Sequence, residues 1–95
     1  MSAPRPPEDL PMSDWPAWWS WDLELSSHLR RRMIDRAFNE VDLRLMLETA
    51  RGHRRNHAPG RFTVETAHAG AAWEVIVAPD SRRQLLVVVT AYQVG

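Results

Sequence analysis

The stretch QLLVVVTAY, residues 84–92, decides the fold of this chain. Its central positions, Leu85 to Val89, are all apolar, and three of them are β-branched. An uninterrupted apolar run of this length is typical of a strand that is buried on both faces, whereas a half-exposed strand alternates polar and apolar positions. We therefore predict a central strand at residues 84–92.

Two alternating segments precede this strand. Large apolar residues recur at every second position in residues 61–67 (Phe62 and Val64) and in residues 72–78 (Trp73, Val75 and Val77), which is the period of a half-buried strand. Gly70 lies between them and predicts a hairpin turn, and Pro79–Ser81 is expected to end the second segment. Three consecutive antiparallel strands are therefore predicted in the second half of the chain.

Two helices are predicted in the middle of the chain. The first spans residues 28–37 after an N-cap at Ser26 or Ser27, and the second spans residues 40–50 after an N-cap at Asn39. The apolar positions of the second helix fall at spacings of three and four, which is the pattern of a core-facing stripe. Those positions are Leu43, Met46, Leu47 and Ala50.

The segment before the helices is ambiguous. Residues 18–25 alternate from Trp19 onward, which favours a first strand, although an amphipathic helix that continues into the next segment is the alternative. With a strand there, the order is β-α-α-β-β-β, an α+β fold with two helices packed on an antiparallel sheet. Residues 1–14 contain four prolines and are expected to be a disordered tail, so that residues 15–95 form a single domain.

Composition narrows the function classes. The 95 residues include no cysteine, no apolar run long enough for a membrane span and no secretory leader pattern, so we expect a cytoplasmic protein. All twelve basic residues are arginines, and residues 28–61 carry nine of them against four acids. Arginine binds phosphate with a flat, two-pronged set of donors, so the clustering favours nucleic acid as a partner.

Short motifs in a fixed order carry a family resemblance. The first half shows a Ser-x-His start, an HxxxRMxxR pattern and an acidic opening of the second helix: Ser26, His28, Arg32, Met33, Arg36, Glu40 and Asp42. The second half shows a Gly-Arg pair, a strand that ends in an acid and a turn, and a final Thr-x-Tyr: Gly60, Arg61, Val77–Ser81, Thr90 and Tyr92. Over residues 18–94 this order resembles domain-of-unknown-function family 4258, a small bacterial family.

That family looks like a branch of the RelE/ParE-like toxin superfamily. The resemblance implies a toxin-type endoribonuclease that cleaves RNA without a metal or other cofactor. It also implies RNA, including ribosome-associated RNA, and a protein antitoxin as partners. The alternative is a non-catalytic module on the same fold that binds RNA or protein.

The resemblance motivates one candidate catalytic site. Metal-free cleavage of RNA needs a base, an acid and cations that stabilise the transition state. His28 would move the proton, because its reference pKa lies near neutral pH, while Arg32 and Arg61 would stabilise charge. Thr90 would contact phosphate, and Tyr92 would act as an acid or stack on a base. Under the structural alternative, His28 caps a helix, the arginines are solvated, and Tyr92 ends a core strand.

The polar segment RGHRRNHAPG, residues 51–60, is predicted to be a loop that contacts phosphates, with Gly52 as the stop of the second helix. Its HxxxH pair, His53 and His57, would suit a metal only on a helix, so we expect no metal site. The remaining candidates are RNA-binding arginines and a tryptophan surface for a protein partner: Arg36, Arg51, Arg54 and Arg55, and Trp15 and Trp18.

Overall fold

The computed structural model describes residues 15–94, so the tail predicted at residues 1–14 lies outside the described residues. A short 3-10 turn at Ala17–Ser20 precedes seven regular elements. They are β1 Asp22–Leu25, α1 Ser27–Asp35, α2 Glu40–Glu48, β2 Gly52–Arg55, β3 Phe62–His68, β4 Ala71–Asp80 and β5 Leu85–Gln93.

The sheet has five strands in the order β1-β5-β4-β3-β2. Strand β1 runs parallel to β5, and the other neighbours are antiparallel. The predicted α+β class with two helices on a largely antiparallel sheet is confirmed. Strand β5 has partners on both sides, as predicted, although its burial is one-sided: Leu86, Val88 and Ala91 are buried and Val87 is half-buried.

The prediction of a loop at residues 51–60 is wrong in its first half. Gly52–Arg55 forms an edge strand that pairs with β3, from Gly52 opposite Glu65 to Arg55 opposite Phe62. The segment lacks apolar alternation because an edge strand needs only one hydrogen-bonded neighbour and carries charged residues readily. Gly52 is accordingly a strand residue, and α2 already ends at Glu48.

Two other boundaries differ from the predictions. Only the second half of residues 18–25 is a strand, because the tryptophan-rich first half forms the 3-10 turn, whose Trp18 is buried in the core. Pro79 lies inside β4 opposite Leu86 instead of ending the strand. Strand β3 pairs with β4 only as far as Val77, so the missing N–H of Pro79 costs no hydrogen bond on that side.

The predicted N-caps are confirmed at Ser26 and Asn39. Ser26 Oγ accepts a hydrogen bond from the Leu29 amide at 3.0 Å and donates one to the Val89 carbonyl of β5 at 2.8 Å. Asn39 and Asp42 form a reciprocal capping box at the start of α2. The cap at Ser26 therefore also fixes the start of α1 against β5.

Strand alternation gives the sheet two different faces. Val64, Val75 and Ala91 point to the helices and are fully buried, so their sequence neighbours point to the opposite side. We call that opposite side the open face. It carries a mixture of charged, hydroxyl and apolar side chains, which include Arg54, Thr63, Glu65, Glu74, Ile76, Thr90 and Tyr92.

Candidate functional site

A polar network crosses four strands of the open face near the end of β5. Glu65, Glu74 and Tyr92 lie side by side because each is the cross-strand partner of the next. Tyr92 Oη donates a hydrogen bond to Glu74 Oε1 at 2.8 Å. Arg54 of β2 donates from Nη2 to Glu74 Oε2 at 3.0 Å and from Nη1 to Glu65 Oε2. One guanidinium therefore joins both carboxylates, and one of them also receives the tyrosine hydroxyl.

The network sets the protonation states of its members. The hydrogen bonds from Tyr92 and Arg54 lower the pKa of Glu74 below its ordinary value. Burial, together with the hydrogen bond to Glu74, raises the pKa of Tyr92. A carboxylate with a lowered pKa is a weak base and a tyrosine with a raised pKa is a weak acid. Both shifts therefore stabilise the same state of the pair, in which a neutral phenol donates to an ionised carboxylate.

A cleft of about 350 Å³ opens beside this network, lined by Arg36, Trp73, Tyr92 and Gln93. Arg36 lies two turns beyond the buried Leu29 and so shares its side of the helix. Its Nη1 donates to the Ala91 carbonyl of β5 at 2.5 Å, while the residue remains exposed. The cleft combines an anchored guanidinium with an aromatic hydroxyl, which suits a phosphate and its attached nucleoside.

The other two members of the predicted helical stripe lead away from the cleft. Arg32 is one turn before Arg36 and pairs with Asp35 at 3.4 Å. His28 is exposed in the first turn of α1, eight residues and about 12 Å along the axis from Arg36. The structure therefore places Arg36 at the cleft and His28 at the opposite end of the helix.

Thr90 and Arg61 complete the five predicted catalytic residues, and they lie apart from each other. Thr90 shares the open face of β5 with Tyr92 and is opposite Ile76. Arg61 immediately precedes β3, whose first residue is level with Val88 of β5 through the register of β4. Tyr92 is four residues further along β5, which is about 13 Å. The five residues do not form one constellation.

The arginines predicted to bind RNA separate in the same way. Arg54 points to the open face and is held by two carboxylates. Arg51 and Arg55 alternate with it and face the helix side of β2, where both are exposed. Arg36 alone of the predicted set reaches the Tyr92 cleft.

The tryptophans also have different environments. Trp18, predicted to belong to a partner surface, is instead a core residue with 9% of its surface exposed, and its ring packs on Phe62. Trp15 is half-buried, and its ring centroid lies 4.2 Å from that of Trp19 and 4.8 Å from that of His53. His53 is therefore part of an aromatic stack. Among residues 15–94, no group of three or more histidines and acids has an arrangement that would hold a metal ion.

Sequence reasoning missed Glu74, which holds Tyr92 and Arg54. It also missed His68, whose ring lies edge-on to Trp73 near the cleft, with centroids 5.5 Å apart. Glu74 is the one polar residue inside β4, where Asp80 is the last residue, but its partner depends on the register with β5. The register is known only from the three-dimensional pairing of β4 with β5.

No helix within residues 15–94 has the length and apolar character needed to cross a membrane.

Comparison with known proteins gives one positive result. Neither the curated proteins nor the solved structures include a match to this chain. Residues 25–93 match the model of a domain of unknown function, DUF4258, from the last residue of β1 to the end of β5. That match spans most of the chain, so the protein belongs to the DUF4258 family.

Proposed function

We propose that this domain binds RNA, with the cleft beside Tyr92 as its phosphate-binding site. The observation that carries the proposal is the presence of Arg36 and Tyr92 in one cleft at the open end of β5. The anchored guanidinium offers charge-assisted donors to a phosphate, and the tyrosine ring offers a surface for the adjoining sugar or base.

Binding fits the chemistry of this cleft better than catalysis does. A general acid–base pair needs pKa values close to the working pH. The hydrogen bonds around Glu74 lower its pKa, and burial raises that of Tyr92, so both move away from neutrality. His28 has a suitable side chain but lies at the other end of α1. These features support a binding module as the primary function.

A metal-free endoribonuclease of the RelE/ParE-like type is the second candidate. It is favoured by the resemblance of the sequence motifs and by the presence of Arg36 and Tyr92 in the lining of one cleft. In that mechanism Arg36 would stabilise the charge of the phosphorane, water would accept the proton of the attacking 2′-hydroxyl, and Tyr92 would supply a proton to the leaving oxygen. A protein antitoxin would then be the expected partner.

Fluorescence anisotropy with a labelled single-stranded RNA of about 12 nucleotides tests the binding proposal. Arg36→Gln should weaken binding and reduce the salt dependence by about 0.7 in the logarithmic slope, because one phosphate contact is lost. Arg82→Gln is the matched control, since Arg82 is exposed in the β4–β5 turn, away from the cleft. Equal affinity and slope for Arg36→Gln and the control would refute the cleft as a phosphate site.

The same RNA, incubated with and without a chelator, separates the two candidates. Tyr92→Phe keeps the ring and removes the hydroxyl, so a binding module should bind nearly as well and leave the RNA intact in both proteins. An endoribonuclease should instead cut the RNA with or without chelator. Its Tyr92→Phe variant should lose about 10²-fold in rate, which is the scale of general acid–base catalysis.

A further inference from the structure

The segment before β1 places three partly exposed tryptophans at the helix side of the sheet. Trp15, Trp19 and Trp21 are all half-buried, and we call them the tryptophan platform. The rings of Trp15 and Trp19 are tilted by 33° with centroids 4.2 Å apart. The ring of Trp15 also contacts the ring of His53 in β2, with centroids 4.8 Å apart and a tilt of 42°. Both are close, tilted contacts, and together they join β2 to the segment that precedes β1.

The platform borders a small cleft. Trp19 and Trp21 line a space of about 200 Å³ together with three leucines and with Arg44 and Glu48 of α2. Pockets for drug-sized ligands are larger, with volumes from about 300 Å³ upward. A space of this size, with aromatic and aliphatic walls and a donor and an acceptor in its lining, fits a single planar ring.

The chain segment that includes His53 is basic, whereas the cleft beside Trp19 and Trp21 is lined by both Arg44 and Glu48. Residues 49–64 contain four arginines and two histidines and no acid. On the open face, Arg54 forms salt bridges with Glu65 and Glu74. Arg51 and Arg55 flank His53 at two-residue spacing on the helix side of β2, and no acid among residues 15–94 pairs with either. Two exposed cations therefore stand on either side of the aromatic stack, about 13 Å apart along the strand.

We propose that the tryptophan platform is a stacking site for single-stranded RNA. One base enters the cleft against Trp19 and Trp21, the neighbouring base stacks at Trp15, and Arg51 and Arg55 hold the phosphates. The choice of RNA rests on the proposed function, while the site itself is separate from the Tyr92 cleft. Aromatic stacking with flanking arginines is the general way in which proteins bind unpaired strands.

The platform should discriminate between single and double strands. Its rings need the exposed face of an unpaired base, and a duplex hides those faces within its own stack. A protein partner would also bury tryptophans, but the exposed Arg51 and Arg55 on either side of His53 are complementary to phosphates rather than to an average protein surface. Single-stranded RNA is therefore the occupant that both the aromatic and the charged residues favour.

The test uses the whole chain and a labelled oligouridylate of about eight nucleotides, with a blunt duplex of equal length as the second probe. Trp15→Ala should weaken binding of the single strand about tenfold, at low and high salt alike, because stacking is insensitive to salt. The double variant Arg51→Gln/Arg55→Gln should instead reduce the logarithmic salt slope by about 1.4. Trp15→Phe should retain most of the affinity, and Arg82→Gln should bind like the wild type.

Outcomes at the two sites are distinguishable. If Arg36→Gln is silent while Trp15→Ala weakens binding, the cleft proposal fails and the platform proposal stands. If Trp15→Ala binds like the wild type, or the duplex binds as tightly as the single strand, the platform proposal is overturned. If the wild-type protein binds neither probe, both proposals are overturned, and a protein partner becomes the expected occupant of the tryptophan platform. Thermal unfolding of each variant verifies that lost affinity does not come from lost folding.

Discussion

Two arginine-rich segments of this molecule show how secondary structure decides whether clustered charge becomes a surface. On α1 the residues His28, Arg32 and Arg36 are spaced by four and stay on one side of the helix. On β2 the alternation of the strand sends Arg54 to the open face and Arg55 to the helix side. The adjacent charges of β2 thus lie on opposite faces of the sheet, whereas the spaced charges of the α1 segment lie on one side of a helix.

The two segments also differ in how their charges are used. Arg54 joins Glu65 and Glu74 and so stabilises a sheet face that two carboxylates would otherwise destabilise. Arg36 donates to a backbone carbonyl and keeps its charge available at the cleft. An arginine held by two acids has a structural role, while one held by a neutral carbonyl remains able to bind an anion.

The largest effect should come from the buried side of α1, which positions its arginines. Leu29 is fully buried against the core, and Leu29→Ala should lower the free energy of unfolding by about 2–5 kcal/mol. Ile34 of the same helix is 83% exposed, so Ile34→Ala should change it by less than about 0.5 kcal/mol. Urea denaturation of both variants measures the difference. Similar midpoints would mean that α1 is not anchored through Leu29.

The hydroxyl of Tyr92 should contribute less, because one hydrogen bond is at stake. Tyr92→Phe removes the donor to Glu74 and should cost about 0.5–1.5 kcal/mol in unfolding free energy. Thr90→Val is a useful comparison on the same face of β5, because it removes a hydroxyl that lies outside the Glu74 network. A Tyr92→Phe protein as stable as the wild type would contradict the assigned network.

Much of the fold was predictable because its signals are local. The stripe of Leu43, Met46 and Leu47 is visible in the sequence, and all three residues are buried. The capping residues Ser26 and Asn39 likewise act on their immediate neighbours. Strand β2 was missed because its sequence has no apolar period and its existence depends on pairing with a strand ten residues later.

The candidate site was less predictable because it depends on register. The sequence predicted that Thr90 and Tyr92 share one face, because side chains two residues apart on a strand point to the same side. It could not place Arg61, whose distance from Tyr92 follows from two successive strand pairings. Nor could it assign Glu74 to Tyr92, since a shift of one residue would have put an apolar side chain opposite the hydroxyl.

The network should make stability depend on pH at the acid end. Because the pKa of Glu74 is lowered in the folded protein, its contribution is present above the ordinary glutamate value of 4.5 and is lost as the pH falls through the folded value. Glu74→Gln should therefore be less stable than the wild type at neutral pH, with a difference that shrinks below about pH 4. Thermal unfolding across that range measures it. A constant difference between the two proteins would show that the charge of Glu74 is not involved.

The smallest effect, and the one that compares the two faces of β2 directly, concerns Arg54 and Arg55. Arg54→Gln leaves Glu65 and Glu74 directly opposite each other without a cation, so its melting temperature should fall and should recover partly with added salt. Arg55→Gln removes a charge that no acid among residues 15–94 holds, so its melting temperature should match the wild type. Arg54→Lys should be intermediate, because an ammonium keeps the charge but cannot span both carboxylates as a guanidinium does. Equal melting temperatures for Arg54→Gln and Arg55→Gln would mean that strand alternation does not assign these neighbours different roles.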